Sequence, residues 1–225
     1  MNLLAFDTAT QATVVAACRG PGDVAIARHD PAPGERPGHA TLLLGLVDEA
    51  LAAAGLGLAQ LDRLAVGVGP GSFTGLRIGI ATARALAQAA DLPLAGVGTL
   101  RVLATGAEDE AGPRPVLAVI DAGRGEGFAA SFRGDRALDE PAALAPEALA
   151  ARAQALQDPL AVGSGAVRFR AQLRAAGAAV PADSSPLHRL DGRHLSRLAA
   201  AAETADRDAV LPQYLRAPDA TPHPR

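Results

Sequence analysis

Short apolar runs separated by turn-forming residues make up the first stretch of the chain. Asn2–Phe6 is uncharged and ends at Asp7-Thr8-Ala9-Thr10; Thr13–Ala17 is a second run, and Val24–Ala27 follows Gly20-Pro21-Gly22. Three such runs joined by short turns predict an antiparallel meander. The period then changes. From His39 to Ala54 apolar residues fall at Leu42, Leu43, Leu46, Val47, Ala50, Leu51 and Ala54, which is helical spacing, with Gly55 placed to cap the end. Leu44 and Ala53 widen this stripe beyond one core contact. Two readings stay open: a helix buried on two sides within one chain, or a helix with one face for a partner.

The stretch Leu64–Ala90, LAVGVGPGSFTGLRIGIATARALAQAA, organises the rest. It predicts a buried strand at Leu64–Val68, a glycine-proline turn over Gly67–Gly75, and a helix from Gly75 to Ala90 with Thr74 as N-cap. Gly75, Gly79, Ala83 and Ala87 recur every four residues and form a stripe almost without side chains. Glycine inside a helix costs about 1 kcal/mol against alanine, so Gly79 is expected to serve a close approach. A strand, glycine turn and helix can present backbone amides to an anion or make a tight connection. Two phosphate motifs are excluded. A Walker loop needs lysine after Gly75, where Leu76 stands, and the chain contains no lysine; a dinucleotide fingerprint needs glycine where Ser72 stands, and Pro70 interrupts it.

Further along, Leu94–Val97 reads as a strand and Leu100–Ala107 as a helix. The charged, glycine- and proline-containing segment Glu108–Pro115 marks a lobe boundary. Val116–Ile120 and Gly127–Phe132 predict paired strands around the GRGEG turn. Pro146–Leu156, Val167–Ala176 and His194–Ala205 predict helices, and Leu160–Val162 a strand. The division expected is an N-terminal lobe at 1–107, a C-terminal lobe at 108–216 and a flexible tail at 217–225.

Composition narrows the function classes. With 49% hydrophobic and 20% charged residues over 225 positions the chain can bury a core. A net charge of −3 with no basic cluster argues against nucleic-acid binding by this chain alone. Cys18 is the single cysteine, so no internal disulfide and no thiolate cluster can form. The start MNLLAFDTAT lacks the basic region of a signal peptide, and no apolar run reaches the roughly 20 residues of a membrane helix. A cytoplasmic protein with no membrane contact is expected. His29, His39, His188, His194 and His223 show no local metal spacing, and Ser72 lacks the G-x-S-x-G of a nucleophile elbow. Asp7, Asp121 and Glu126 fall at strand ends, where turn chemistry explains carboxylates as readily as a metal site does.

GPGSFTGLRIG, residues 69–79, resembles the signature of the TsaB family, the non-catalytic partners in bacterial tRNA threonylcarbamoyladenosine synthesis. LLAFDTAT, HATLLLGLVDEALAAAGL, ADLPLAGVGTL, DAGRGEGFAASF and PQYLR match that family in order and spacing. The resemblance implies an α/β, two-lobed actin-like fold of the sugar-kinase and heat-shock ATPase type. It also implies pairing with the catalytic paralogue TsaD, cooperation with the ATPase TsaE, and contact with tRNA only through the complex. The first two helices would make the partner interface, with His39, Leu43, Leu46, Val47 and Ala50 on one and Gly75, Gly79, Ala83 and Ala87 on the other. On that reading Gly79→Arg leaves the chain soluble and abolishes TsaD binding. The signature turn would comprise Gly69, Pro70, Gly71, Ser72, Phe73, Thr74 and Arg77. The paralogue's two metal-binding histidines correspond here to Thr99 and Leu103, so no catalytic residue, metal or cofactor is expected. Arg124 stands one position later than the family's usual arginine after Asp-Ala, where this chain has Gly123. The alternative is an enzyme, either an actin-fold ATPase or a metallopeptidase of the wider family. Ala9, in place of the glycine of a kinase D-x-G-T turn, weighs against phosphate turnover. A homodimer through the same helices is a further possibility when the partner is absent.

Overall fold

The computed structural model describes residues 1–216 except 21 and 33; the expected tail at 217–225 lies outside the described residues. The meander forms as anticipated: β1 (Asn2–Asp7), β2 (Thr13–Arg19) and β3 (Val24–His29) are antiparallel neighbours, with Phe6 opposite Val15 and Val15 opposite Ala27. Helix α1 (His39–Ala53), strand β4 (Arg63–Gly69), helix α2 (Phe73–Ala89) and strand β5 (Leu94–Gly98) follow. Beyond them, α3 (Thr99–Thr105) forms where a helix was expected over Leu100–Ala107, and a further short helix, α4 (Glu108–Ala111), occupies the start of the segment Glu108–Pro115. The second half contains β6 (Val116–Asp121), β7 (Gly127–Arg133), β8 (Arg136–Ala137), β9 (Ala142–Leu144), α5 (Pro146–Leu156) and β10 (Leu160–Val162). It closes with α6 (Ser164–Arg168), α7 (Arg170–Ala175), α8 (Gly192–Ala201) and β11 (Thr204–Ala205).

Two sheets result. The first has the order β11-β5-β4-β1-β2-β3, with β1, β4 and β5 parallel; the second runs β10-β6-β7-β8, with β9 also on β7. β1 is apolar from Leu3 to Phe6 because the first sheet is covered on both faces. Leu4 and Phe6 join the core under α1 and α2, whereas Leu3 and Ala5 join a second core with Leu195 and Ala199 of α8. That second core continues through Leu100 and Leu103 of α3 to Ala118, Ile120 and Phe128 of the other sheet. A third core holds Leu117 and Val119 against Leu149, Phe169 and Leu173 on the far side.

Some expected elements change, and the single helix expected over Val167–Ala176 is instead two, α6 and α7, separated at Phe169. α8 begins at Gly192 and ends at Ala201, because Asp191 caps it by accepting a hydrogen bond from Arg193 N at 2.8 Å. α8 also packs on the first sheet, and β11 pairs with β5, so the chain returns to the N-terminal layer well before residue 216. The apolar face of α8 finds its cover on β1 and β2. Finally, α2 is capped by Ser72, whose Oγ accepts from Gly75 N at 3.3 Å, and not by Thr74. The end of α1 behaves as anticipated. Gly55 adopts φ +64°, and Gly55 N and Leu56 N donate to the carbonyls of Ala52 and Leu51, the double closure typical of a glycine-terminated helix.

Candidate functional site

The β1–β2 turn is the inner wall of the region singled out by the sequence. Asp7 and Thr8 are fully buried. Ala9 N donates to Asp7 Oδ1 and Thr99 Oγ1 donates to Asp7 Oδ2, both at 2.7 Å. Gly69 N donates to Thr99 Oγ1 at 3.2 Å, Thr8 Oγ1 to the Gly75 carbonyl at 2.8 Å, and Ser72 N to the Ala9 carbonyl at 2.7 Å. Burial pushes the Asp7 carboxyl above the ordinary aspartate value, and the bonds from Ala9 and Thr99 pull against that shift.

The signature glycines are explained by this turn. A Cβ at Gly67 would stand 2.0 Å from Asp7 Oδ2, at Gly71 2.2 Å from the Ala9 carbonyl oxygen, and at Gly75 2.0 Å from the Thr8 carbonyl oxygen. At Gly79 it would stand 2.4 Å from Thr8 Oγ1. These glycines form a bed for residues 7–9 of the same chain, so the backbone that could have cradled a phosphate is covered from within.

The nine residues expected at a partner interface all lie on α1 and α2. His39, Leu43, Val47, Ala50, Gly75, Gly79, Ala83 and Ala87 are buried against the first sheet, and Leu46 is half-buried. The small stripe of α2 faces inward because it must pass over the β1–β2 turn. Gly79→Arg would drive a side chain into Thr8, so the solubility expected of that variant is withdrawn. His39 is held by its Nδ1 at 2.8 Å from Thr13 Oγ1, while its Nε2 has no hydrogen-bond partner; burial holds its pKa below the ordinary histidine value. What α1 and α2 turn outward is Leu44, 58% exposed, a half-buried row of Leu42, Leu46, Ile78 and Leu86, and the exposed Ala81 and Ala85.

The signature turn opens on a different feature. After Gly69, at φ +98° and joined to Pro70 by a cis peptide bond, the chain turns Phe73, Thr74 and Arg77 outward. The PQYLR segment crosses here as a strap. Gln213 N donates to the Val68 carbonyl at 2.8 Å, the Phe73 and Tyr214 ring centroids lie 5.1 Å apart, and Arg77 Nε donates to Tyr214 OH at 3.2 Å. At its far end Arg216 is ion-paired with Glu126 and reaches the Ala122 carbonyl of the β6–β7 turn. Between strap, signature turn and β6–β7 turn lies a cleft of about 690 Å³.

Asp121 and Glu126 are occupied structurally. Arg168 Nη1 bonds both Asp121 oxygens, at 2.9 and 2.7 Å, while Asp121 Oδ1 also accepts from Gly123 N at 2.9 Å. Arg124 has φ +53° and lines the cleft. Among the described residues, no cluster of three or more His, Cys, Asp or Glu side chains could hold a metal ion, and no helix is long and apolar enough to cross a membrane. Sequence reasoning missed the Thr99 relay and the Arg168–Asp121 pair. Both join residues far apart in the chain, and nothing local marks them.

Residues 35–179 match the family model for TsaD, tRNA N6-adenosine threonylcarbamoyltransferase. The tRNA threonylcarbamoyladenosine biosynthesis protein TsaB of Escherichia coli is 40% identical over 172 residues, covering 73% of this chain and 72% of that protein. The chain belongs to the TsaB family. Within it, YeaZ from Pseudomonas aeruginosa has a solved structure that superposes with a TM-score of 0.77 at 31% identity, over 95% of this chain and 99% of that one. A ROK hexokinase from Thermus thermophilus, 12% identical with a TM-score of 0.50 over 90% of this chain and 98% of its own, shares the fold alone. The actin-like, sugar-kinase architecture expected from the signature is thereby found.

Proposed function

We propose that this TsaB-family chain acts in tRNA threonylcarbamoyladenosine biosynthesis as a non-catalytic subunit. It pairs with TsaD in the cytoplasm, works with TsaE and meets tRNA through the complex. The observation that carries the reading is the fate of the two positions where the transferase has metal-binding histidines. Thr99 is buried and spends its hydroxyl on Asp7 and Gly69 N, and Leu103 is a buried core residue of α3. Both side chains hold the fold together. The closed β1–β2 turn supports the same reading, since residues 7–9 are packed against glycines and leave no backbone amide cradle there. The partner surface fits the outward apolar row of α1 and α2, Leu42, Leu44, Leu46, Ile78 and Leu86, better than the buried residues named from sequence.

Reconstitution tests this. Purified TsaD and TsaE convert tRNA with and without the chain, and modified adenosine is scored; equal product in both reactions refutes the scaffold role. Leu44→Glu combined with Ala85→Arg changes only exposed positions, so it should fold as before and fail to co-purify with TsaD. ATP hydrolysis or tRNA modification by this chain alone would favour the enzyme alternative.

A further inference from the structure

The cleft between the strap and the β6–β7 turn gathers an unusual share of the chain's aromatic residues. The whole sequence has five Phe, one Tyr and no Trp, and three of these, Phe73, Phe128 and Tyr214, line this one cleft. Phe73 and Tyr214, 38% and 41% exposed, are the only exposed aromatics among the described residues. Leaving such rings in water forgoes burial that the other Phe residues obtain. The strap does not bury them; it aligns them, with the ring planes tilted by 34°.

Arginine is interleaved with these rings. The Arg77 guanidinium lies 3.8 Å from the Phe73 ring centroid and the Arg216 guanidinium 5.8 Å from that of Phe128. Arg216 is ion-paired with Glu126, and Asp121, the carboxylate lining the cleft, is neutralised by Arg168. Arg77 forms no ion pair with a described residue. Its Nε is used by Tyr214 OH, and its two terminal amino groups make no hydrogen bond to a described residue. In a chain of net charge −3, the cleft thus carries a cation that has no carboxylate partner among the described residues, beside two paired aromatic rings. Aromatic platforms with guanidinium groups between them recognise unstacked bases and their phosphates, and about 690 Å³ lies within the size of small-molecule sites, roughly 300–1,000 Å³.

We infer that this cleft binds a single phosphorylated nucleoside, its base on the Tyr214–Phe73 face and its phosphate on the terminal amino groups of Arg77. The ligand is either a free mononucleotide or one unstacked nucleotide of an RNA strand. This site is separate from the β1–β2 turn, whose backbone Gly71 and Gly75 cover, and it requires no partner protein.

The lone tyrosine makes the test direct. With no Trp in the chain, intrinsic fluorescence reports Tyr214 alone. The full-length protein is titrated with AMP, with adenosine and with a short 5′-phosphorylated single-stranded RNA, using free tyrosine to correct for absorbance. Saturable quenching by AMP identifies a free nucleotide as ligand, and saturation by the strand alone identifies a nucleotide within RNA; either supports the site. Adenosine should bind at least about tenfold more weakly than AMP. Arg77→Ala, an exposed position, should keep the fold by circular dichroism and weaken the phosphorylated probe about tenfold. Absence of saturable quenching by both AMP and RNA overturns the inference, as does an Arg77→Ala variant that binds as tightly as the wild type.

Discussion

Replacing Thr99 with valine keeps the side-chain volume and removes one hydroxyl from the centre of the molecule. That hydroxyl donates to Asp7 Oδ2 at 2.7 Å and accepts from Gly69 N at 3.2 Å. Both partners are buried, so neither can turn to water. A hydrogen bond to a charged group contributes about 1.5–3 kcal/mol and a stranded buried N–H costs about 1–3 kcal/mol. Thr99→Val should therefore lower stability by about 3–5 kcal/mol, against a total of about 5–15 kcal/mol for a typical fold. The assay is urea unfolding, in which the midpoint falls at constant slope. The loss should also depend on pH. The folded carboxyl of Asp7 is raised above its unfolded value, so its contribution is fully present below the ordinary aspartate pKa and is lost as pH rises through the folded one. Removing the Thr99 bond raises the folded value further, and the penalty must grow from acid to neutral pH. A loss under about 1 kcal/mol at neutral pH, or one equally large in acid, would refute the assignment of Asp7 and Thr99 as a coupled structural pair.

Other outcomes follow from neighbouring contacts. Gly79→Ala places a methyl 2.4 Å from Thr8 Oγ1; despite gaining helix propensity it should cost about 1–3 kcal/mol in thermal unfolding, and a more stable variant would contradict the close approach of α2 to the turn. His39 has a folded pKa held below the ordinary value by burial, so the unfolded chain takes up the proton first. Stability is full above the ordinary histidine pKa and falls as pH drops below it, a window shared with His194, which burial lowers likewise. His39→Gln should reduce the fall in melting temperature between about pH 7.5 and 5.5, and an unchanged slope would remove His39 from the account. Arg168→Ala breaks the pair with Asp121, whose partners are 44% and 33% exposed. Solvent screening limits the cost to about 0.5–1 kcal/mol, and a chemical-denaturation loss several times larger would show that the β6–β7 turn depends on this bond.

The longer strands, most helices and the family were written in local sequence, whereas the short β8, β9 and β11 were not. Apolar runs without alternation marked strands covered on both faces, and Gly55 and the GPGSFTGLRIG signature marked a helix end and a lineage. Which way a helix faces was not local information. The four-residue stripe of Gly75, Gly79, Ala83 and Ala87 announced a close approach, but the approaching element, residues 7–9, lies more than sixty positions earlier in the chain, as the 67-residue separation of the Thr8–Gly75 bond shows. The same periodicity fits an inner or an outer face, and only the course of the first strand decided for the inner one. The contacts made by Thr99, Arg168 and Tyr214 carry no local sequence signal for a related reason. Their roles come from partners 92, 47 and 137 positions away, brought within hydrogen-bond distance by two sheets that share one core. Sequence periodicity sets which residues are apolar together; chain topology sets what they meet.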